Sequence, residues 1–179
     1  FVAARAGDLA PKPRSLDHVH AAAVPLSGLT GWQALFDHAR LASGQTVLIH
    51  AAAGGVGTYA VQLAHSRGIH VIGTASPTNA AFLRQLGADE VLDYHSVRLE
   101  ARVHGVDAVL DTVGGETLDR SCGLRRRGGT LVTIVGDAPE ATAAKYGVRG
   151  VSMLVQPSRS QLVELGRLID TGKIRPVVE

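Results

Sequence analysis

The chain has 179 residues, a formal net charge of +2 and a single cysteine, Cys122, which is length enough for one full-sized α/β domain with its own core. The charge is small and the basic residues are scattered, except for Arg125, Arg126 and Arg127, which read as a solvated helix end; no stripe suits a nucleic-acid backbone. One cysteine excludes an internal disulfide and a thiolate metal cluster and fits a reducing compartment, the cytoplasm, and no apolar run approaches the roughly 18 residues that span a bilayer, so no membrane association is expected.

The first residues, Phe1 to Ala6, open in a strand-like pattern without an initiator methionine, and Val177-Val178-Glu179 stops as another strand begins. The chain is therefore expected to be a piece of something longer. Residues 9–16 contain Pro11 and Pro13, whose fixed φ and missing donor predict an extended connector. From residue 27 to 41 the apolar positions Leu29, Trp32, Leu35, Phe36 and Leu41 recur at threes and fours, which predicts a helix ended by Ser43-Gly44. Thr46-Val47-Leu48-Ile49-His50 is a β-branched apolar run, the pattern of a strand buried on both faces. Beyond it a glycine loop opens a second helix that Gly68 stops.

The alternation then repeats. Strands are predicted over residues 69–74, 90–92, 106–112, 130–135 and 150–155, with helices over 79–86, 116–124 and 160–170. Strands alternating with helices imply right-handed βαβ crossovers. The expected fold is an α/β Rossmann unit: a doubly wound, six-stranded parallel sheet with helices on both faces and ligands beyond the carboxyl ends of the strands.

The dinucleotide fingerprint needs a tight turn, a position without a side chain facing the pyrophosphate, and a close helix-to-strand contact; Ala52, Gly54 and Gly57 take those places. The first is an alanine where the pattern has glycine. Backbone N–H groups around Gly55, Val56 and Gly57, at the positive end of a helix, would face an anion. About 20 residues on, an NAD site places a carboxylate at the end of the second strand, whereas this chain has Gly73-Thr74-Ala75-Ser76. Nothing there repels a 2′-phosphate, and Thr74, Ser76, Arg84 and Tyr94 offer donors, so NADP(H) is the expected cofactor. Ser76 also suits the cap of the following helix.

The stretch from Val47 through Gly57, followed by Ala60-Val61-Gln62-Leu63-Ala64, resembles the quinone oxidoreductase branch of the medium-chain dehydrogenase/reductase superfamily. So do Gly28-Leu29-Thr30-Gly31-Trp32-Gln33-Ala34-Leu35, Leu86-Gly87-Ala88-Asp89-Glu90-Val91, Asp111-Thr112-Val113-Gly114-Gly115 and Gly172-Lys173-Ile174-Arg175-Pro176. The resemblance implies that residues 1–25 are the end of a catalytic domain with its connector and that 26–179 are the cofactor-binding domain. It implies that Thr30 lies near the nicotinamide ribose, that Gly54, Gly55, Val56 and Gly57 hold the pyrophosphate, and that Ser76 and Tyr94 lie near the adenosine phosphate. Val135, Gly136 and the strand around Met153 to Val155 would border the nicotinamide, and Val113 is a further cofactor-binding candidate. Family members often carry a lysine at the place of Ala80 that binds the 2′-phosphate; Arg84, one turn on, is the substitute available here.

Zinc-dependent relatives carry a ligand cysteine four residues before Thr30, where this chain has Leu26. His18 and His20 stand close by without supporting carboxylate or thiolate, so no zinc is expected. What the resemblance implies is hydride transfer from NADPH to a quinone or an activated alkene, with the protein supplying orientation and polarisation. No catalytic acid or base is identified, and Asp93, Asp107 and Asp111 suit capping or solvated roles. A homodimer is expected through the strand at 150–155. The competing readings are a zinc alcohol dehydrogenase, which Leu26 disfavours; a methyltransferase, which wants an acidic residue after the second strand; and a nucleotide-binding relative without catalysis.

Overall fold

A computed structural model describes residues 2–138 and 144–178. The strands β1 (Thr46–Ile49), β2 (His70–Ala75), β3 (Glu90–Asp93), β4 (Val106–Asp111), β5 (Arg125–Thr133) and β6 (Arg149–Ser152) form one sheet in the order β3-β2-β1-β4-β5-β6. Every pairing is parallel. This is the doubly wound order of dinucleotide-binding sheets, with the switch point between β1 and β4.

Six α-helices accompany the strands among the described residues: α1 (His18–Ala22), α2 (Pro25–Trp32), α3 (Gly55–Ser66), α4 (Ala80–Gln85), α5 (Gly115–Ser121) and α6 (Arg159–Asp170). Successive strand residues point to opposite faces, and the core is split accordingly. Val47, Ile49 and Leu110 join Leu29, Leu63, Leu83 and Leu165 on one face. Leu48, Val109 and Leu131 join Leu118, Cys122 and Leu124 on the other. Both faces of β1 are therefore dry, which is why its sequence is an unbroken apolar run rather than an alternating one. Each such side chain, fully buried, stabilises the fold by about 1.5–3 kcal/mol.

Several local predictions are corrected. The first long helix starts at Pro25, and after Trp32 it widens into a π-helical turn over Gln33–His38. The arginine triplet is not a helix end. It begins β5, with Arg125 level with Val106 and only 7% exposed, and with Arg126 Nε 2.6 Å from Asp107 Oδ1. Conversely β5 stops at Thr133 and β6 at Ser152, short of the positions 135 and 155 expected from composition. Gly68 ends α3 in the left-handed region, at φ +69°, as the sequence suggested.

Among the described residues no helix is long and apolar enough to cross a membrane.

Candidate cofactor-binding site

The site is built by the turn from β1 into α3. Ala51 adopts φ +45°, a conformation that crowds its Cβ and costs an L-residue on the order of 1–2 kcal/mol. Its carbonyl then accepts from Gly54 N–H at 2.9 Å, closing the loop. Gly57 packs directly on that turn. A Cβ there would sit 2.5 Å from Ala51 O and 2.6 Å from Ala52 O, both backbone atoms that cannot swing aside. The close approach of helix and strand thus demands glycine at position 57, whereas the Ala52 methyl is accommodated in the core.

No side chain caps α3, and its first intrahelical bond runs from Thr58 N–H to Gly54 O at 2.9 Å. The N–H groups of Gly55, Val56 and Gly57 precede that bond and point off the helix end with the positive pole of the dipole behind them. Beside them lies a cavity of about 300 Å³, lined by Ala51, Ala53, Gly54, Thr74, Ala75, Ser76, Asn79 and Tyr94. It occupies the crevice at the ends of β1 and β2, where this fold places an adenosine ribose. Its lining carries hydroxyl, amide and phenol groups and no carboxylate.

The predicted residues divide into distinct roles. Ser76 Oγ is 2.8 Å from Thr78 Oγ1 and accepts from Asn79 Nδ2 at 3.2 Å, while Tyr94 is 55% exposed and packs against His95 with ring centroids 4.1 Å apart. Arg84 is exposed on α4 and is not among the residues lining this cavity. Thr74 is buried, and its hydroxyl faces inward, 3.3 Å from His50 Nδ1 and 3.2 Å from the Ala51 amide nitrogen.

On the other side of the switch point the tips of β4 and β5 are tied by Asp111. Its carboxylate accepts from Thr133 Oγ1 at 2.9 Å and from the N–H groups of Val113 and Gly114 at 3.1–3.2 Å. Gly114 lies so close to Val135 that a Cβ would meet its Cγ2 at 3.2 Å. Val113 and Val135 are both exposed, with Gly136 at φ +78° following. Thr30 is buried on α2, its hydroxyl donating to Leu26 O at 2.8 Å. Met153 turns into the core, whereas Val155 lines an open apolar groove with Leu26 and Leu29. Asp107 has a bracing role at the opposite end of the sheet, accepting from Thr46 N–H at 2.8 Å and from Gln45 Nε2 at 3.0 Å.

Two buried polar neighbours of the crevice, His50 and Ser121, were not apparent from sequence. His50 is 1% exposed and its Nε2 lies 2.8 Å from Ser121 Oγ, which in turn donates to Thr117 O. Burial pushes its imidazole down to about 4, against the opposing pull of Asp111. The only available signal was a polar residue at the end of an otherwise apolar strand.

Residues 86–179 match the family model described as zinc-binding dehydrogenase. The chain belongs to this family. The family falls within the medium-chain dehydrogenase/reductase superfamily, whose members are nicotinamide-nucleotide-dependent oxidoreductases. The chain is 42% identical to the spectinabilin polyketide synthase system protein NorB of Streptomyces orinoci, over 94% of this chain and 8% of that protein. It is 33% identical to the mitochondrial NAD(P)H oxidoreductase RTN4IP1 of Mus musculus, over 100% of this chain and 53% of that protein. Its structure superimposes on the quinone oxidoreductase from Coxiella burnetii with a TM-score of 0.86 at 39% identity, covering 92% of this chain and 53% of the other. The chain thus spans about half the length of the latter two proteins and a small part of the synthase.

The metal in the family's description can be set against the side chains themselves. Leu26 is 69% exposed and offers no donor atom, and His20 Nδ1 is engaged 2.8 Å from Asp17 Oδ1. Among the described residues no group of three or more His, Cys, Asp or Glu side chains could hold a metal ion. These residues do not fit a zinc site. They do fit a dinucleotide, through the uncapped start of α3 beside a crevice of matching polarity.

Proposed function

We propose that the chain is the NADPH-binding part of a zinc-independent reductase that delivers hydride to a conjugated carbonyl acceptor, a quinone or an activated alkene. The observation that carries the reading is the uncapped amino end of α3 beside a crevice without a carboxylate. A bound nicotinamide would supply the hydride; the chain's own residues bind and orient. The N–H groups of Gly55, Val56 and Gly57 take the pyrophosphate, each charge-assisted bond being worth about 1.5–3 kcal/mol. Ser76, Asn79 and Tyr94 meet the 2′-phosphate as neutral donors, and the lack of a carboxylate spares it repulsion. Val113 and Val135, both exposed beyond the ends of β4 and β5, give the ring an apolar wall. The likeness to a quinone oxidoreductase supports the acceptor class, since a quinone is itself a conjugated carbonyl.

Titrating the chain with NADPH, followed by its fluorescence, tests the cofactor; consumption of NADPH absorbance on adding a quinone to the longer polypeptide tests the reaction. Saturable binding with preference for NADPH over NADH supports the reading, and no binding of either sinks it. The proposal includes pairing of two copies through β6, the edge of the sheet, which sedimentation would report as a dimer mass.

A further inference from the structure

The hydrogens around His50 can be assigned by elimination. Ser121 Oγ has one hydrogen and donates it to Thr117 O at 2.6 Å. The 2.8 Å contact between Ser121 Oγ and His50 Nε2 therefore has the ring as donor. A neutral imidazole that carries its proton on Nε2 has a bare Nδ1, which must accept from the Thr74 hydroxyl 3.3 Å away. With its own hydrogen so committed, Thr74 Oγ1 still has lone pairs, and it takes the Ala51 N–H at 3.2 Å. The chain of bonds runs from α5 through the floor of the crevice and ends on the residue whose φ of +45° starts the phosphate loop. This assignment gives each of the four groups a partner within the protein.

We propose that His50 is a positioning residue for dinucleotide binding, held as the Nε2–H tautomer between Ser121 and Thr74, and that through Thr74 it fixes the left-handed turn at Ala51 from which the phosphate loop springs. Two consequences follow. Thr74, read from sequence as a donor to the 2′-phosphate, has no hydrogen to give and serves as scaffold. And because the device acts on the pyrophosphate loop rather than on the 2′ position, its loss weakens NADH and NADPH by the same factor. This rests on the dinucleotide reading above. The deep burial of the ring keeps it neutral near pH 7, as the assignment requires.

The test combines ¹⁵N NMR of the ring with dinucleotide titrations of the chain and three variants. Long-range ¹H–¹⁵N spectra at neutral pH should show a protonated Nε2 and a bare Nδ1; the reverse tautomer or a charged ring overturns the proposal. His50→Phe, which breaks both bonds, should weaken NADPH and NADH alike by about tenfold. His50→Asn, which keeps an acceptor where Nδ1 faces Thr74, should recover most of that loss. Adding Ala51→Gly to His50→Phe should also restore affinity, since glycine adopts the turn without being held there; a general packing lesion would not be relieved by it. Unchanged binding in His50→Phe, a changed NADPH-to-NADH ratio, or failure of both rescues overturns the proposal while leaving the dinucleotide reading intact. A wild-type chain that binds neither nucleotide removes both.

Discussion

Gln33 and Gln156 form a reciprocal pair across the fold: Gln33 Nε2 donates to Gln156 O at 2.7 Å, and Gln156 N–H donates to Gln33 Oε1 at 3.0 Å. The pair fixes the segment after β6, which carries Met153 and Val155, against the π-helical turn that follows α2. Gln33 is 5% exposed, so its amide has no water to fall back on. Gln33→Leu should destabilise the chain by about 1–2 kcal/mol, because it strands the Gln156 backbone groups. On the reading that residues 153–155 border the nicotinamide, as the resemblance implies, it should also weaken dinucleotide binding. Urea midpoints and NADPH titrations read the two effects. An unchanged midpoint would show that the segment holds its place without the pair.

Gly57 sets the distance between α3 and the loop. A methyl group there meets two backbone oxygens at 2.5–2.6 Å, so Gly57→Ala must push the helix start away from Ala51 and spoil the aim of its N–H groups. The expected result is a loss of NADPH affinity of at least about tenfold with about 1–3 kcal/mol of destabilisation. Gly54→Ala is the comparison: its added Cβ would lie 3.3 Å from a single oxygen, and the loss of stability should be smaller. Equal stability losses in the two variants would contradict this reading of the loop.

Why the sequence revealed some of this and hid the rest is a matter of sequence distance. The run of β1, the glycine loop and the α3 face are contiguous, and each carries its own local signal, so the β1–loop–α3 unit and the doubly wound sheet could be anticipated. Arg125 is drawn into β5 by pairing with Val106 and by the Arg126–Asp107 contact, neither of which a window around the arginines contains. Residues 153–155 have strand-like composition, yet they leave the sheet where Gln33, more than a hundred positions away, takes the Gln156 backbone. The His50–Ser121 contact spans 71 positions in sequence and joins two elements that only the closed sheet brings together. Tyr94, which lines the crevice, stands out as a phenol donor and by the family resemblance, whereas Asn79, which lines the same crevice, is masked by its place in an ordinary helix start.

The crevice gives different weights to two residues proposed for the 2′-phosphate. Tyr94 lines it and Arg84 does not. Tyr94→Phe should therefore lower NADPH affinity by about three- to tenfold while leaving NADH nearly unchanged, the loss of one hydrogen bond to a charged group being on the order of 1 kcal/mol at an exposed site. Arg84→Ala should leave the ratio of the two affinities as it was. A collapse of NADPH preference in Arg84→Ala would mean that its guanidinium reaches the phosphate when ligand is bound.

The buried imidazole also gives folding a pH dependence with a definite sign. Unfolded, a histidine titrates near 6.5; folded, His50 is pushed down to about 4 because burial disfavours its charged form. Between those values the unfolded chain binds the additional proton, so stability falls as the pH is lowered through this window and is fully present above it. The loss attributable to His50 is on the order of 3 kcal/mol. Glu100, drawn down to about 2 chiefly by its hydrogen bonds with Arg120, acts in the same direction but only below the ordinary glutamate range, and both partners are about two-fifths exposed, so solvent screens their contribution. Urea unfolding of the wild type between pH 7 and 4 should therefore show a steeper decline than that of His50→Gln, whose amide cannot titrate. The variant starts from a lower stability at pH 7, where it has lost the fit to Ser121 and Thr74, and the two curves should converge toward pH 4. Parallel curves would place the acid sensitivity of this fold elsewhere than at His50.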